Sequence, residues 1–169
     1  TMSPEQFNDY LERLPDSIAA DFAEIAAETA TEYFKESFTR KGFDGQNWQP
    51  AKIPKTTGSL LIDTSQLVNS IRPTIVSPER VVISAGNDHV AYAKIHNEGY
   101  KDPVTVPAHT RVSRKGKPHS VRSHVRIVDI VQRRFMGTAG ELNDRMRERI
   151  EARIQRSEEH TSELQSRQY

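Results

Sequence analysis

Val90-Ala91-Tyr92-Ala93-Lys94-Ile95-His96-Asn97-Glu98-Gly99-Tyr100 holds a short helix, a stop signal and an aromatic exit within one window. Val90, Ala93 and Ile95, with Tyr92 and His96 alternating between faces, suit a few turns of helix laid on a sheet, and Gly99 stands where a left-handed C-terminal residue is wanted. Two strands feed this segment. Arg72 to Ser77 and Arg80 to Ala85 are β-branched and alternating, and Pro78-Glu79 joins them as a tight hairpin. A lone hairpin is marginal in water and needs a helix across one face; the Val90 segment follows directly after Gly86-Asn87-Asp88.

Outward toward the N-terminus, Ser3-Pro4-Glu5-Gln6 is a capping box with proline at the first helical position, starting a short helix through Leu14. Pro15-Asp16 stops it and caps a second helix from about Ser17 to Arg40, closed by Gly42. On that helix Ile18, Phe22, Ile25, Ala26, Ala30, Tyr33, Phe34 and Phe38 fall three or four apart on one stripe. The other face is acidic: from Glu5 to Glu36 the carboxylates, Glu24, Glu28, Glu32 and Glu36 among them, face only Arg13 and Lys35 as local cations. A solvated helix face is the plain reading, and a docking face for a basic partner the sharper one. Phe43 to Gly58 reads as loop, with Lys52 and Lys55 exposed and Trp48 plugging the edge of the core. Thr64 caps a short helix that turns Leu67 and Ile71 inward.

Toward the C-terminus, Val106-Pro107-Ala108-His109-Thr110-Arg111 and Val121-Arg122-Ser123-His124-Val125-Arg126 share a pattern, as paired arms of one long hairpin would, with its tip near Lys115-Gly116-Lys117-Pro118. Arg111, Arg114, Lys115, Lys117, Arg122 and Arg126 lie on this arm, residues 103–128, and Pro103 to Arg126 holds no acid. Too few bulky apolar residues remain to pack both faces, so the arm is expected to project. Thr138-Ala139-Gly140-Glu141 is a second capping box, opening a helix through Ile154 with Leu142, Met146, Ile150 and Ile154 facing the core. The expected fold is α+β: a small antiparallel sheet packed by a long N-terminal helix and a C-terminal helix, with a projecting basic β-hairpin.

With 169 residues, 35% of them hydrophobic and 28% charged, the chain suits one domain, 1–155, with a helical hairpin at 3–40. No run approaches a membrane span, no signal peptide is read before the first helix, and a cytoplasmic protein is expected. Arg156 to Tyr169 resembles an in-frame translation of a common sequencing adapter and reads as a non-native tail; Thr1 before Met2 reads as outside the native start. The absence of cysteine removes disulfides, thiolate catalysis and thiolate-bound zinc. The histidines lack the His-Glu-x-x-His spacing a metal site on a helix would use, and His96 beside Glu98 points in a different direction; its plain reading is a helix-end histidine bonded to a backbone carbonyl. No phosphate-cradling glycine loop and no nucleophile elbow is present, so no cofactor, metal or catalytic residue is assigned, and a hydrolase built on scattered His and Glu would need a pocket the sequence does not show.

Four blocks occur in order: Trp48-Gln49-Pro50, Leu61 to Ile71, Tyr92 to Gly99, and Gln132-Arg133-Arg134-Phe135-Met136-Gly137. Together, across roughly Phe38 to Ile154, they resemble the phage virion morphogenesis family, the Mu-type tail-completion proteins of tailed phages and prophages. Ser65 departs from that pattern, standing where such proteins often have Gly after Thr. The resemblance implies a structural, non-enzymatic protein of tail completion or head-tail joining, assembling as a homo-oligomeric ring with other phage neck or tail proteins. It implies residence in the host bacterial cytoplasm during assembly and then in the virion. In that setting the basic arm meets the acidic helix face of a neighbour. The alternative is a non-specific nucleic-acid binder whose arm follows phosphates, including packaged DNA, although the arm carries no aromatic on which bases would stack.

Overall fold

The computed structural model of the protein describes residues 5, 16–51 and 58–166, with side chains described for 5, 18–51 and 58–157. The helix expected over Ser3 to Leu14, apart from Glu5, and the exposed Lys52 and Lys55 lie outside the described residues. The described chain begins with helix α1, Asp16–Arg40, whose apolar stripe forms as its spacing requires. Phe22, Ala30, Tyr33, Phe34 and Phe38 are buried, while Ile18, Ile25 and Ala26 are half-buried on its flank.

Lys41, not Gly42, takes the left-handed conformation that ends α1, at φ 54. Gly42 is needed for a different reason: a Cβ there would meet the Gln46 carbonyl oxygen at 2.6 Å. That close approach belongs to a small hairpin, β1 (Gly42–Phe43) with β2 (Gln46–Asn47), inside the stretch expected to be loop. Next comes α2, Gln66–Asn69, whose N-terminal flank is Ser65 at φ 59 and ψ 8 rather than a capping Thr64. Its Leu67, together with Ile71 just beyond, is buried as expected.

Strands β3 (Arg72–Ser77) and β4 (Arg80–Ser84) pair antiparallel around Pro78-Glu79, with a bulge between Ile75 and Ser77. The helix lying across this hairpin is α1, not the Val90 segment. That segment forms only α3, Ala93–Glu98, and sends Val90 and Ala93 into the core beside Leu67 and Ile71. Gly99 has φ 80 as a stop signal should, but ψ 167 places it in an extended region open to glycine alone. The chain therefore turns straight into β5 instead of curling into a left-handed cap.

The long hairpin exists and is longer than expected. β5 (Tyr100–Val106) pairs with β8 (His124–Ile130), and β6 (His109–Val112) pairs with β7 (Pro118–Val121). His109 faces Val121 and His124 faces Val106, so the two histidines are not cross-strand partners. Each ring instead holds its Nδ1 against the carbonyl two residues back, Pro107 at 2.9 Å and Arg122 at 3.0 Å. The shared Val-x-x-His pattern thus marks matching breaks in the two arms, at 107–108 and 122–123.

Helix α4 runs Gly140–Ser166, well past Ile154. Ser-Glu-Glu-His-Thr-Ser-Glu-Leu-Gln contains neither glycine nor proline, and extending a formed helix avoids the cost of nucleating one. Thr138 does not form the expected box. The Glu141 backbone N–H donates to Asp44 Oδ1 at 3.5 Å, and the Glu141 carboxylate turns to Arg40, Arg145 and Tyr33.

The class is α+β, with the strands arranged as four separate antiparallel pairs. The main core gathers Tyr33, Phe34, Phe38, Phe43, Leu67, Ile71, Val90, Phe135 and Leu142, with Trp48 and Met146 at its margin. A smaller cluster of Phe22, Ile150 and Ile154 joins the far ends of α1 and α4. No helix among the described residues is long and apolar enough to cross a membrane.

Candidate functional site

The arm is built so that its charge stays at the surface. Arg111, Arg114, Lys115, Lys117, Arg122 and Arg126 are all exposed, and none makes an ion pair among the described residues. The tip is closed by Ser113, whose N–H donates to the Lys117 carbonyl at 2.9 Å and whose hydroxyl accepts from the Lys117 N–H at 3.1 Å. Alternation along β5 and β8 leaves one face, with Tyr100, Val104, Val106, Val128 and Ile130, half-buried. The opposite face carries Val125 and Ile127 at 64% and 71% exposure, and Val112 on β6 is 63% exposed. Basic groups and uncovered aliphatic ones therefore share the arm.

The acidic face of α1 divides in two. Glu32 receives Arg149 at 2.7 Å, and Glu36 receives Arg145 at 2.8 Å with Arg40 at 3.9 Å. Asp21 pairs with Arg153, and Arg40 with Glu141 at 2.9 Å, so arginines spaced four apart on α4 climb antiparallel against α1. These pairs tie Glu32 and Glu36 to α4 at the surface, each side chain keeping nearly half its exposure. Glu24 and Glu28 are exposed and make no ion pair among the described residues. With Glu32 and one cation, Lys35, they rim an open groove of about 470 Å³ between α1 and β3, floored by Ala27, Pro73 and Ile75.

Electrostatics within the ladder follow from these contacts. Burial alone would raise the Glu141 carboxyl, but hydrogen bonds from Arg40 and Tyr33, with the charges of Arg40 and Arg145, hold it below its ordinary value. Tyr33 is raised, by burial first and then by Glu141. The Glu36 carboxylate raises the already basic Arg145 further.

Four sequence blocks meet at the base of the arm. Trp48 Nε1 donates to the Arg134 carbonyl at 2.7 Å, and the Arg133 guanidinium donates to the Gln49 carbonyl at 3.3 Å. Asn97 Oδ1 accepts from both the Phe135 and Met136 N–H groups, at 2.9 and 3.0 Å, while the Arg133 N–H donates to the His96 carbonyl at 2.8 Å. Phe135 packs on Phe38 at 5.0 Å between ring centroids, and the Trp48 ring meets Phe38 edge-on at 5.4 Å. Leu67 and Ile71 complete the same core. Tyr100 and Ile130, the first pair of the arm, emerge directly from this knot.

His96 makes no bond from Nδ1 to a backbone carbonyl. That atom is buried without a hydrogen-bond partner, and the ring sits edge-on to Tyr92 at 5.6 Å. Burial, then the Arg133 charge, lowers its pKa. Glu98 lies instead 3.9 Å from Lys94. Among the described residues no group of three or more His, Asp or Glu is placed to hold a metal ion.

Sequence reasoning placed the arm and the acidic helix face, and missed the ladder. Its partners lie more than a hundred residues apart, and the only signal was the four-residue spacing of Arg145 and Arg149 matched to that of Glu36 and Glu32, while Arg153 goes to Asp21 and breaks the match. Compared with protein-family models, curated proteins and solved structures, the chain matches none.

Proposed function

We propose that the protein is a structural component of virion morphogenesis in a tailed phage or prophage, acting in tail completion or head-tail joining as a homo-oligomeric ring. The reading rests on the resemblance of the four ordered blocks. Its main support is that these blocks, separated by up to about ninety residues of chain, converge on one knot that roots the arm. A rigid base carrying an exposed, charged hairpin suits a protein whose work is contact with neighbours. Other neck or tail proteins are the expected partners, and the host cytoplasm followed by the virion the expected location.

Deleting the coding sequence from the phage genome tests this directly. Under this reading the lysate contains heads and tails that remain unjoined under the electron microscope, and supplying the chain in trans restores plaque formation. Normal virions at normal titre after deletion would remove the proposal.

A second reading uses the same arm. Six exposed cations without internal partners can follow a phosphate backbone, which would make the protein a non-specific nucleic-acid binder. Duplex binding that weakens steeply with salt, together with normal virions after deletion, would favour it.

A further inference from the structure

We infer that the groove between α1 and β3, rimmed by Glu24 and Glu28, is the seat for the basic arm of a second copy of this chain. The inference deepens the assembly reading and rests on it for the identity of the partner. Three observations carry it. The six arm cations find no acid within the described chain, and of the four acids on the exposed side of α1 only Glu24 and Glu28 are left without an internal cation. The apolar parts match as well: Ile75 is 47% exposed on the groove floor, while Val125 and Ile127 stand uncovered on the arm. Finally, arm and groove are different patches of one molecule, so their union is head-to-tail, the kind of contact that closes into rings or runs on as filaments.

Charge orients the encounter and the aliphatic groups hold it. Exposed ion pairs lose strength beyond a Debye length of about 8 Å at about 0.15 M salt, so the contact weakens as salt rises, whereas Ile75 against Val125 or Ile127 is far less sensitive. Glu32 and Lys35 face the same groove; Glu32 is held by Arg149, so the pull on the arm comes from Glu24 and Glu28, offset in part by Lys35.

The cysteine-free chain provides the test. Full-length Ile75→Cys and Val125→Cys proteins are prepared separately, mixed at low salt and oxidised. Docking predicts that the mixed disulfide dimer exceeds its statistical share severalfold and declines as salt is added; Asn143→Cys, on an exposed face of α4, serves as the control partner and shows no such excess. Adding Arg122→Glu and Arg126→Glu, the arm cations that flank Val125, to the Val125→Cys protein abolishes the excess, and adding Glu24→Lys and Glu28→Lys to the Ile75→Cys protein restores part of it. Should either cysteine variant fail to fold, Thr31→Cys and Ile127→Cys give a second pair across the same contact.

Heterodimer at the statistical share overturns the inference, as does failure of the doubled reversal to recover any of the excess. A duplex-DNA shift lost on arm reversal and untouched by the groove reversal, without excess heterodimer, overturns it in favour of phosphate contact. The two proposals separate cleanly. Unjoined heads and tails without cross-linking would leave the tail-completion reading standing alone, and cross-linking with normal virions would leave the docking surface standing alone.

Discussion

Ser65 sits at φ 59 and ψ 8 at the start of α2, a conformation in which a side chain crowds its own backbone, and it forms no capping hydrogen bond there. Replacing it with glycine removes the crowding while loosening the unfolded chain, and the balance should raise stability by about 0.5–1 kcal/mol in a denaturant titration. Gly99 is the converse case. A Cβ there would come within 3.2 Å of Gln132, and its φ and ψ suit glycine alone, so Gly99→Ala should cost about 1–3 kcal/mol. His96 links a single residue to pH. Its folded-state pKa is lowered by burial and then by Arg133, so the unfolded chain binds the extra proton first. Stability therefore falls as pH drops below about 6.5 and levels off below the folded value. Thermal melts at about pH 8 and about pH 5.5 should differ more for the parent than for His96→Gln, in which this term is absent.

Among elements, the tip of the arm is the one that can be removed. Ser113 to Ser120 bury no large apolar side chain, and replacing them with a two-residue turn should leave a cooperative melt near that of the parent. A broad, early transition would place the tip in the folding unit. The legibility of the elements follows a physical rule. The stripe of α1, the β3–β4 hairpin and the pattern shared by the two arms could be read because each is a local repeat along the chain. Asp44 capping α4, the β1–β2 hairpin enforced by close approach at Gly42, and the arginine ladder could not, since each depends on a partner brought in by folding. The same rule holds at the candidate site: the cations of the arm were visible as a run, but which acids would be left free was not. Glu32 and Glu36 look the same as Glu24 and Glu28 until α4 arrives.

At the scale of the whole molecule, one aromatic core ties α1, the Trp48 loop and the Phe135 segment together, so Phe38→Ala should cost about 3–5 kcal/mol. Trp48 fluorescence and far-ultraviolet dichroism should still report a single, earlier transition; separated transitions would show that the core is not one unit. The paired breaks in the arm have a mechanical meaning at this scale. Between the β5–β8 and β6–β7 ladders the strands lose regular pairing on both sides at once, and Pro107 has no N–H to restore it. A continuous ribbon would transmit every tilt of its root to its tip. This arm has a break on both strands, and in the assembly proposed above such an elbow would let the outer segment tilt on the inner one, so that neighbouring copies would keep contact across a range of spacings and inclinations.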